Sequence, residues 1–265
     1  MFYDFLFDRY ARATVRLLAT REIRTRIVGT YLGLGHYVVV PILMLVIYSF
    51  VFSHIFTVSW PGTTGRYSDF ALRVFIGLIV FQFVAELLNR APGLILENPA
   101  YVKKVLFPLE TLVPIAIAVA LFAATVSFGV FLLGLLLAAG LPYATIFWVP
   151  AILPPLVMLT AGVGWGLASL GVFLRDLRQI VGVVVSLLTF LSPVFYPLSA
   201  VPEAFRVVIA LNPLTLIIEM MRSAIFDGRP PSALMLLVLY AVAASVAQLG
   251  YWGFMRTRKA FADVV

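Results

Sequence analysis

Cysteine is absent from the 265 residues, which excludes a disulfide framework, thiolate metal ligands and a cysteine nucleophile. Charge is nearly as scarce. Only 12% of the residues are charged and 63% are hydrophobic, where soluble domains run at about 25% and roughly 45–50%. The chain has the composition of a protein dissolved in lipid. Its few charges are unbalanced, with 19 Lys and Arg against 12 Asp and Glu and a net charge of +7. The basic residues are scattered between apolar blocks without a DNA-reading motif, so nucleic acid is not the implied partner. No GxxxxGK[ST] loop is present to cradle nucleotide phosphates. No serine or cysteine nucleophile elbow occurs, and no carboxylate pattern accompanies His36 and His54, so a zinc protease site is unsupported.

Long apolar runs are what the chain has in abundance. A spanning helix needs about 20 mostly apolar residues, because unpaired backbone groups in hydrocarbon are prohibitively costly. Six segments meet that need: residues 37–56, 70–88, 109–139, 146–174, 180–198 and 233–255. The short alternating pattern of an outer-membrane barrel is missing. The expected fold is therefore an all-α integral membrane protein with six transmembrane helices in one domain. Residues 1–32 form a basic segment, 33–255 the bundle and 256–265 a tail.

Lysine and arginine are retained on the cytoplasmic side of a membrane. Fourteen of the 19 fall before the first span, in the second–third and fourth–fifth connections, or after the sixth; the remaining five are Arg66, Arg73, Arg206, Arg222 and Arg229. Both termini are thus expected in the cytoplasm. The first 30 residues carry six arginines and no continuous apolar core, which does not describe a cleavable signal. Arg9, Arg12 and Arg16 share a helical face, as in an amphipathic helix lying on the membrane, although the pattern loosens after Thr20. Such a surface serves either as a collar on anionic headgroups or as a docking face for a partner or a phosphorylated substrate.

Between the second and third spans stands NPAYVKKVLFPLE, residues 98–110. Asn98-Pro99 favours a turn that starts a short helix carrying Tyr101, Lys103 and Lys104, and Phe107-Pro108 stops it. Aromatic anchors with a basic rim suit a protein-docking projection; a floating interfacial helix is the alternative. Between the fifth and sixth spans, Pro193, Pro197, Pro202 and Pro213 are too many for one helix. Two short half-inserted outer helices broken at Asn212-Pro213 are expected there. Arg222 has two candidate partners, Glu219 and Asp227, which makes it a brace and not a substrate contact. Glu86 and Arg90 are expected to pair at i,i+4, and Gly162, Gly164 and Gly166 to form a close-packing helix face.

Three stretches together resemble the ABC-2 type permeases of polysaccharide export. RTRIVGTYLGLGHYVVVPILMLVIYSFVFSHIF is similar to that family's start, with a basic segment, an LG turn and a proline-containing first span. NPAYVKKVLFPLE resembles its second–third loop. The block from residue 166 to 228 matches its most recognisable region, with an RD step, SPVFYP, VPE, then NP and a downstream arginine. His36 departs from the pattern, where an aromatic is more usual. The resemblance is greatest to the O-antigen export permeases, with teichoic-acid and capsule exporters near.

The resemblance implies a homodimer lining a channel in the bacterial inner membrane, driven by two copies of a separate ATP-hydrolysing subunit that holds the ATP and Mg. This chain would bind no cofactor itself and would not be an enzyme. Its cargo would be an undecaprenyl-pyrophosphate-linked polysaccharide. Asn98, Pro99, Tyr101, Lys103, Lys104, Phe107 and Pro108 become the ATPase-coupling helix, and Arg24 and Arg26 the basic pair meeting the lipid pyrophosphate. Pro193, Pro197, Pro202, Asn212 and Pro213 become the outer gate. Tyr48, Phe52, Trp60, Phe195 and Tyr196 are the aromatics placed to guide a glycan through rigid amphipathic faces. The rival readings are an ABC-2 exporter of drugs or simple lipids, and a solitary ion-coupled carrier or lipid-embedded enzyme working alone. The carrier is disfavoured because the cores of spans one and three to six contain no acidic residue.

Overall fold

The computed structural model describes residues 8–29, 31–51, 67–102, 107–138 and 140–264. Phe52, Trp60, Lys103 and Lys104 lie outside the described residues. Every regular element among the described residues is helical. Helix α1 (Arg9–Val28) precedes α2 (Leu34–Phe50) and α3 (Tyr67–Arg90); a short turn α4 (Pro99–Val102) leads to α5 (Leu112–Ala138) and α6 (Val149–Phe173). Then come α7 (Leu177–Leu191), α8 (Glu203–Leu211), α9 (Pro213–Phe226), α10 (Ala233–Thr257) and α11 (Phe261–Val264).

Four stretches are long and apolar enough to cross a membrane: Asp69–Gly93, Leu109–Ala138, Ala144–Phe173 and Ala233–Ala260. A fifth is reached if α8 and α9, bent by 94° at their junction, count as one broken span. The expected six therefore reduce to four or five on these criteria. The difference falls on the first and fifth expected spans. Helix α2 has 17 residues and α7 has 15. Helix α7 stops at Leu191 and not at 198, because Pro193 lacks the N–H that a further turn requires. Helix α1 is continuous to Val28 despite the looser pattern after Thr20. Gly33, at φ +56°, lets the chain turn from α1 into α2.

Helix α3 is the hub. Of its most apolar 18-residue window 83% is buried, against 17% for α10, and α2, α5, α6, α7 and α9 all pack around it. The tightest pair is α6 with α10. There Gly162 and Gly250 cross so closely that a Cβ on Gly250 would stand 2.0 Å from the Gly162 carbonyl oxygen. Backbones meet this way only where both residues are small. Gly164 faces Leu87 and Val113, whereas Gly166 has nothing within 4 Å. The close-packing face is thus Gly162 with a partner on another helix, and Gly166 is no part of it. Ser169 and Thr257 hydrogen-bond at 2.6 Å near one end of the pair, and Tyr240 donates to the Ala151 carbonyl at the other.

Gly250→Ala is expected to cost about 1–3 kcal/mol by overpacking, read from unfolding of the purified protein in detergent. Gly253→Ala, on the same helix with nothing within 4 Å, is the control and should not lower stability, since alanine is the better helix former.

Candidate functional site

Charged side chains gather in two layers at opposite ends of the bundle. At the first end, the basic face of α1 points outward, with Arg9, Arg12, Arg16, Arg21 and Arg24 exposed. The opposite face buries Ala11 and Ala19. A clasp fixes α1 to α3: Arg26 meets Glu86 at 2.8 Å and Glu22 at 3.3 Å, and Arg90 meets Glu22 at 2.5 Å. The expected Glu86–Arg90 pair does not form, since each residue finds a partner on α1 instead. Burial alone would lower the Arg26 pKa, but the hydrogen bond and charge of Glu86, with Glu22 and Tyr37, outweigh it and raise the pKa. Arg26 therefore stays charged throughout the working pH range. Arg24 lies on the exposed face, while Arg26 is engaged by the two carboxylates.

The 98–108 region sits beside this clasp. The Asn98 side chain donates to the Leu94 carbonyl at 2.9 Å, closing the turn that precedes Pro99. Tyr101 stacks on Phe107 with ring centroids 4.3 Å apart, so both aromatics brace the loop against the core. The Pro108 carbonyl accepts from Thr111, and the Phe107 carbonyl from Arg258. Arg258 also pairs with Glu110 at 2.8 Å, which ties the end of α10 to the start of α5. Arg178 pairs with Glu97. A cleft of about 250 Å3 runs between α1 and this loop, bordered by Leu18, Arg21 and Thr25 on one side and Leu94, Asn98 and Tyr101 on the other.

At the opposite end Arg222 is the node. Its side chain is 2% exposed. It donates to the carbonyls of Arg73 (2.9 Å), Pro193 (2.6 Å) and Val194 (2.7 Å) and to Glu219 (3.0 Å). Asp227 pairs with Arg73 at 2.7 Å instead, and the Arg73 guanidinium lies over the Phe226 ring at 4.7 Å. Of the two candidate partners for Arg222, the structure selects Glu219. Asn212 caps α9 by accepting from the Leu214 N–H, and its amide reaches the Ser192 hydroxyl at 3.0 Å. The break between α8 and α9 is thereby fastened to the end of α7. Pro193 and Pro197 are buried and Pro202 is exposed. Tyr48 of α2 meets Phe195 at a centroid distance of 5.8 Å, and the Tyr196 hydroxyl donates to the Phe190 carbonyl. Among the described residues no group of three His, Asp or Glu side chains could hold a metal ion.

Residues 13–226 match the ABC-2 type transporter family. The chain belongs to that family. Among its relatives is the O-antigen export system permease protein RfbA of Myxococcus xanthus, 26% identical over 255 residues and covering 94% of each chain. The RfbA of Klebsiella pneumoniae is 23% identical over 263 residues, covering 94% of this chain and 93% of its own. The polysialic acid transport protein KpsM of Escherichia coli is 26% identical over 224 residues, covering 82% and 83%.

In this ABC-2 chain the clasp of Glu22, Arg26, Glu86 and Arg90 was not legible from spacing. Its only sequence signal is that two acids and two arginines interrupt otherwise apolar or uniformly basic helix ends. The Arg222 node was half legible, as an arginine near two acids; its three carbonyl contacts are tertiary. Arg222→Met is expected to destabilise the protein by about 3–5 kcal/mol, because it leaves Glu219 and three carbonyls without their donor. Arg26→Glu should weaken the attachment of α1, and adding Glu86→Arg should restore it. Limited proteolysis in the 29–33 connection reads that attachment.

Proposed function

We propose that this chain is the channel-forming subunit of an ATP-driven exporter that moves a lipid-pyrophosphate-linked polysaccharide of the O-antigen type across the bacterial inner membrane. The observation that carries the reading is the similarity along 94% of the chain to permeases named for O-antigen export, on a fold whose charges are sorted to its two ends. By the positive-inside tendency the clasp end is cytoplasmic, with both termini. The Arg222 end is then periplasmic. Helices α2 and α7 are the remaining two of six spans, and α8 with α9 form the half-inserted outer pair.

On this reading a homodimer of the chain works with two copies of an ATP-hydrolysing subunit, which carries the ATP and Mg. The cleft between α1 and the 98–108 loop is where that subunit docks, through Asn98, Pro99, Tyr101, Lys103, Lys104, Phe107 and Pro108. Force at the loop reaches α10 through Arg258 and α3 through the α1 clasp. The undecaprenyl pyrophosphate is drawn to the basic face of α1, where Arg24 is open and Arg26 holds the helix in register. Tyr48, Phe52, Trp60, Phe195 and Tyr196 guide the glycan. The turn containing Pro193 and Pro197, with Pro202 and the Asn212-Pro213 break, gates the outer side by moving against the Arg222 node. The relative named for polysialic acid transport favours a second reading, in which the polymer is an acidic capsule-type polysaccharide.

Lys103→Glu with Lys104→Glu is expected to release the ATPase on purification or to abolish its stimulation by lipid-linked glycan. An intact complex with unchanged stimulated hydrolysis overturns the docking assignment. Arg24→Glu should reduce polymer export in cells while Arg24→Lys preserves it; unchanged export by Arg24→Glu removes the residue from substrate recognition.

A further inference from the structure

A cavity of about 490 Å3 opens between α2, α3 and α5, within the range of roughly 300–1,000 Å3 typical of small-molecule sites. It exists because α5 turns a row of small side chains towards it: Ala120, Ala123, Ala124 and Ser127 recur at i, i+3, i+4 and i+7, one face of a helix. Across the space α3 presents Ile79, Gln82, Phe83 and Glu86. Gln82 is the anomaly on that helix. Its flanking residues Phe81 and Phe83 are buried, yet Gln82 is exposed to the cavity and makes no hydrogen bond to any described residue. It lies about 12 Å along α3 from Arg90 at 1.5 Å per residue, well inside the span, where hydrocarbon offers an amide no partner. A polar group kept at that depth and facing a cavity marks a ligand path.

The rest of the lining says which ligand. Val40, Met44 and Leu78 supply aliphatic walls, and Tyr37 and Tyr48 bring aromatic faces from α2. The Ser127 hydroxyl donates to the Ala123 carbonyl at 3.0 Å, which leaves its oxygen able to accept. The charged lining residues, Arg26 and Glu86, are paired with each other at 2.8 Å, and the His36 imidazole, also in the lining, stands edge-on to Tyr37 with ring centroids 5.9 Å apart. The site therefore offers an amide, an imidazole, a hydroxyl acceptor, aromatic faces and aliphatic walls, and among the described residues its formal charges are paired. An anionic or cationic head would be desolvated there with no counter-charge.

We propose that this cavity binds a neutral amphiphile with a hydroxyl-rich, sugar-like head on an aliphatic tail, and that the Gln82 amide is the contact selecting that head. The site is separate from the exposed arginine face assigned to the pyrophosphate but shares Tyr48 with the proposed glycan path, and its occupancy is measured without transport. It stands or falls independently of which polymer is exported.

The natural absence of cysteine makes the test direct. The full chain carrying Ala123→Cys is placed in phosphatidylcholine nanodiscs, and the rate of its reaction with N-ethylmaleimide is followed. Octyl glucoside below its micellar concentration should slow labelling about tenfold more than the neutral, hydroxyl-free octyl methyl ether, the discrimination one satisfied hydrogen bond supplies. Gln82→Leu should erase the difference between the two heads while leaving the unprotected rate unchanged, and Ala124→Cys serves as reporter if Ala123→Cys does not fold. Equal protection by both heads, indifferent to Gln82→Leu, means that lipid tails fill an apolar crevice and overturns the proposal. So does a cysteine that never reacts, which means that the cavity is closed.

Discussion

A guanidinium held at 2% exposure inside a membrane protein is tolerable only if its donors are engaged, because desolvating the charge costs several kcal/mol before any contact is counted. Arg222 meets that constraint with three carbonyls and one carboxylate, drawn from three separate elements. The Arg73 carbonyl lies near the start of α3, the Pro193 and Val194 carbonyls in the turn that ends α7, and Glu219 on α9. Gly77 supplies the room, since a Cβ there would stand 2.8 Å from the guanidinium. One side chain thus sets where the most buried helix, the proline turn and the bent pair meet.

Helix α3 carries that constraint through the bundle. Its opposite end is held by Arg26–Glu86 and Glu22–Arg90, pairs that are only partly buried and so weaker and more easily exchanged than the Arg222 node. On the proposed reading this asymmetry suits an ATP-driven exporter: an anchor at the Arg222 end and a softer clasp at the other would let displacement enter at α1 and the adjoining loop and be delivered to the turn beyond α7. The cavity between α2, α3 and α5 lies between these two layers, bounded at one end by the same Arg26–Glu86 pair.

Much of this was legible in the sequence, for identifiable reasons. Proline leaves no choice at Asn212-Pro213, and the structure bends there by 94°. Composition and length located the stretches from Leu109 to Ala138, Ala144 to Phe173 and Ala233 to Ala260 within a few residues. What could not be read was tertiary. Glu86 and Arg90 satisfied the i,i+4 rule, but α1 offered both of them better partners. Helix α1 lost its pattern after Thr20 because Glu22 and Arg26 face α3 and not the membrane surface. Gly162, on the expected close-packing face, found its small partner at Gly250, 88 positions along the chain, whereas Gly166 has nothing within 4 Å. Hydropathy alone ran the fifth span on to 198, past the proline that ends it.

The central claim is that the α1 and 98–108 end of the molecule is the end where ATP hydrolysis is delivered. It is tested most directly by cross-linking in native membranes from single cysteines in this cysteine-free chain. Ala100→Cys, exposed on α4, reports on that end, and Ser232→Cys, exposed before α10, on the other. The account predicts that Ala100→Cys forms a cross-link to the ATP-hydrolysing subunit and Ser232→Cys does not. A cross-link from Ser232→Cys, with none from Ala100→Cys, would contradict it.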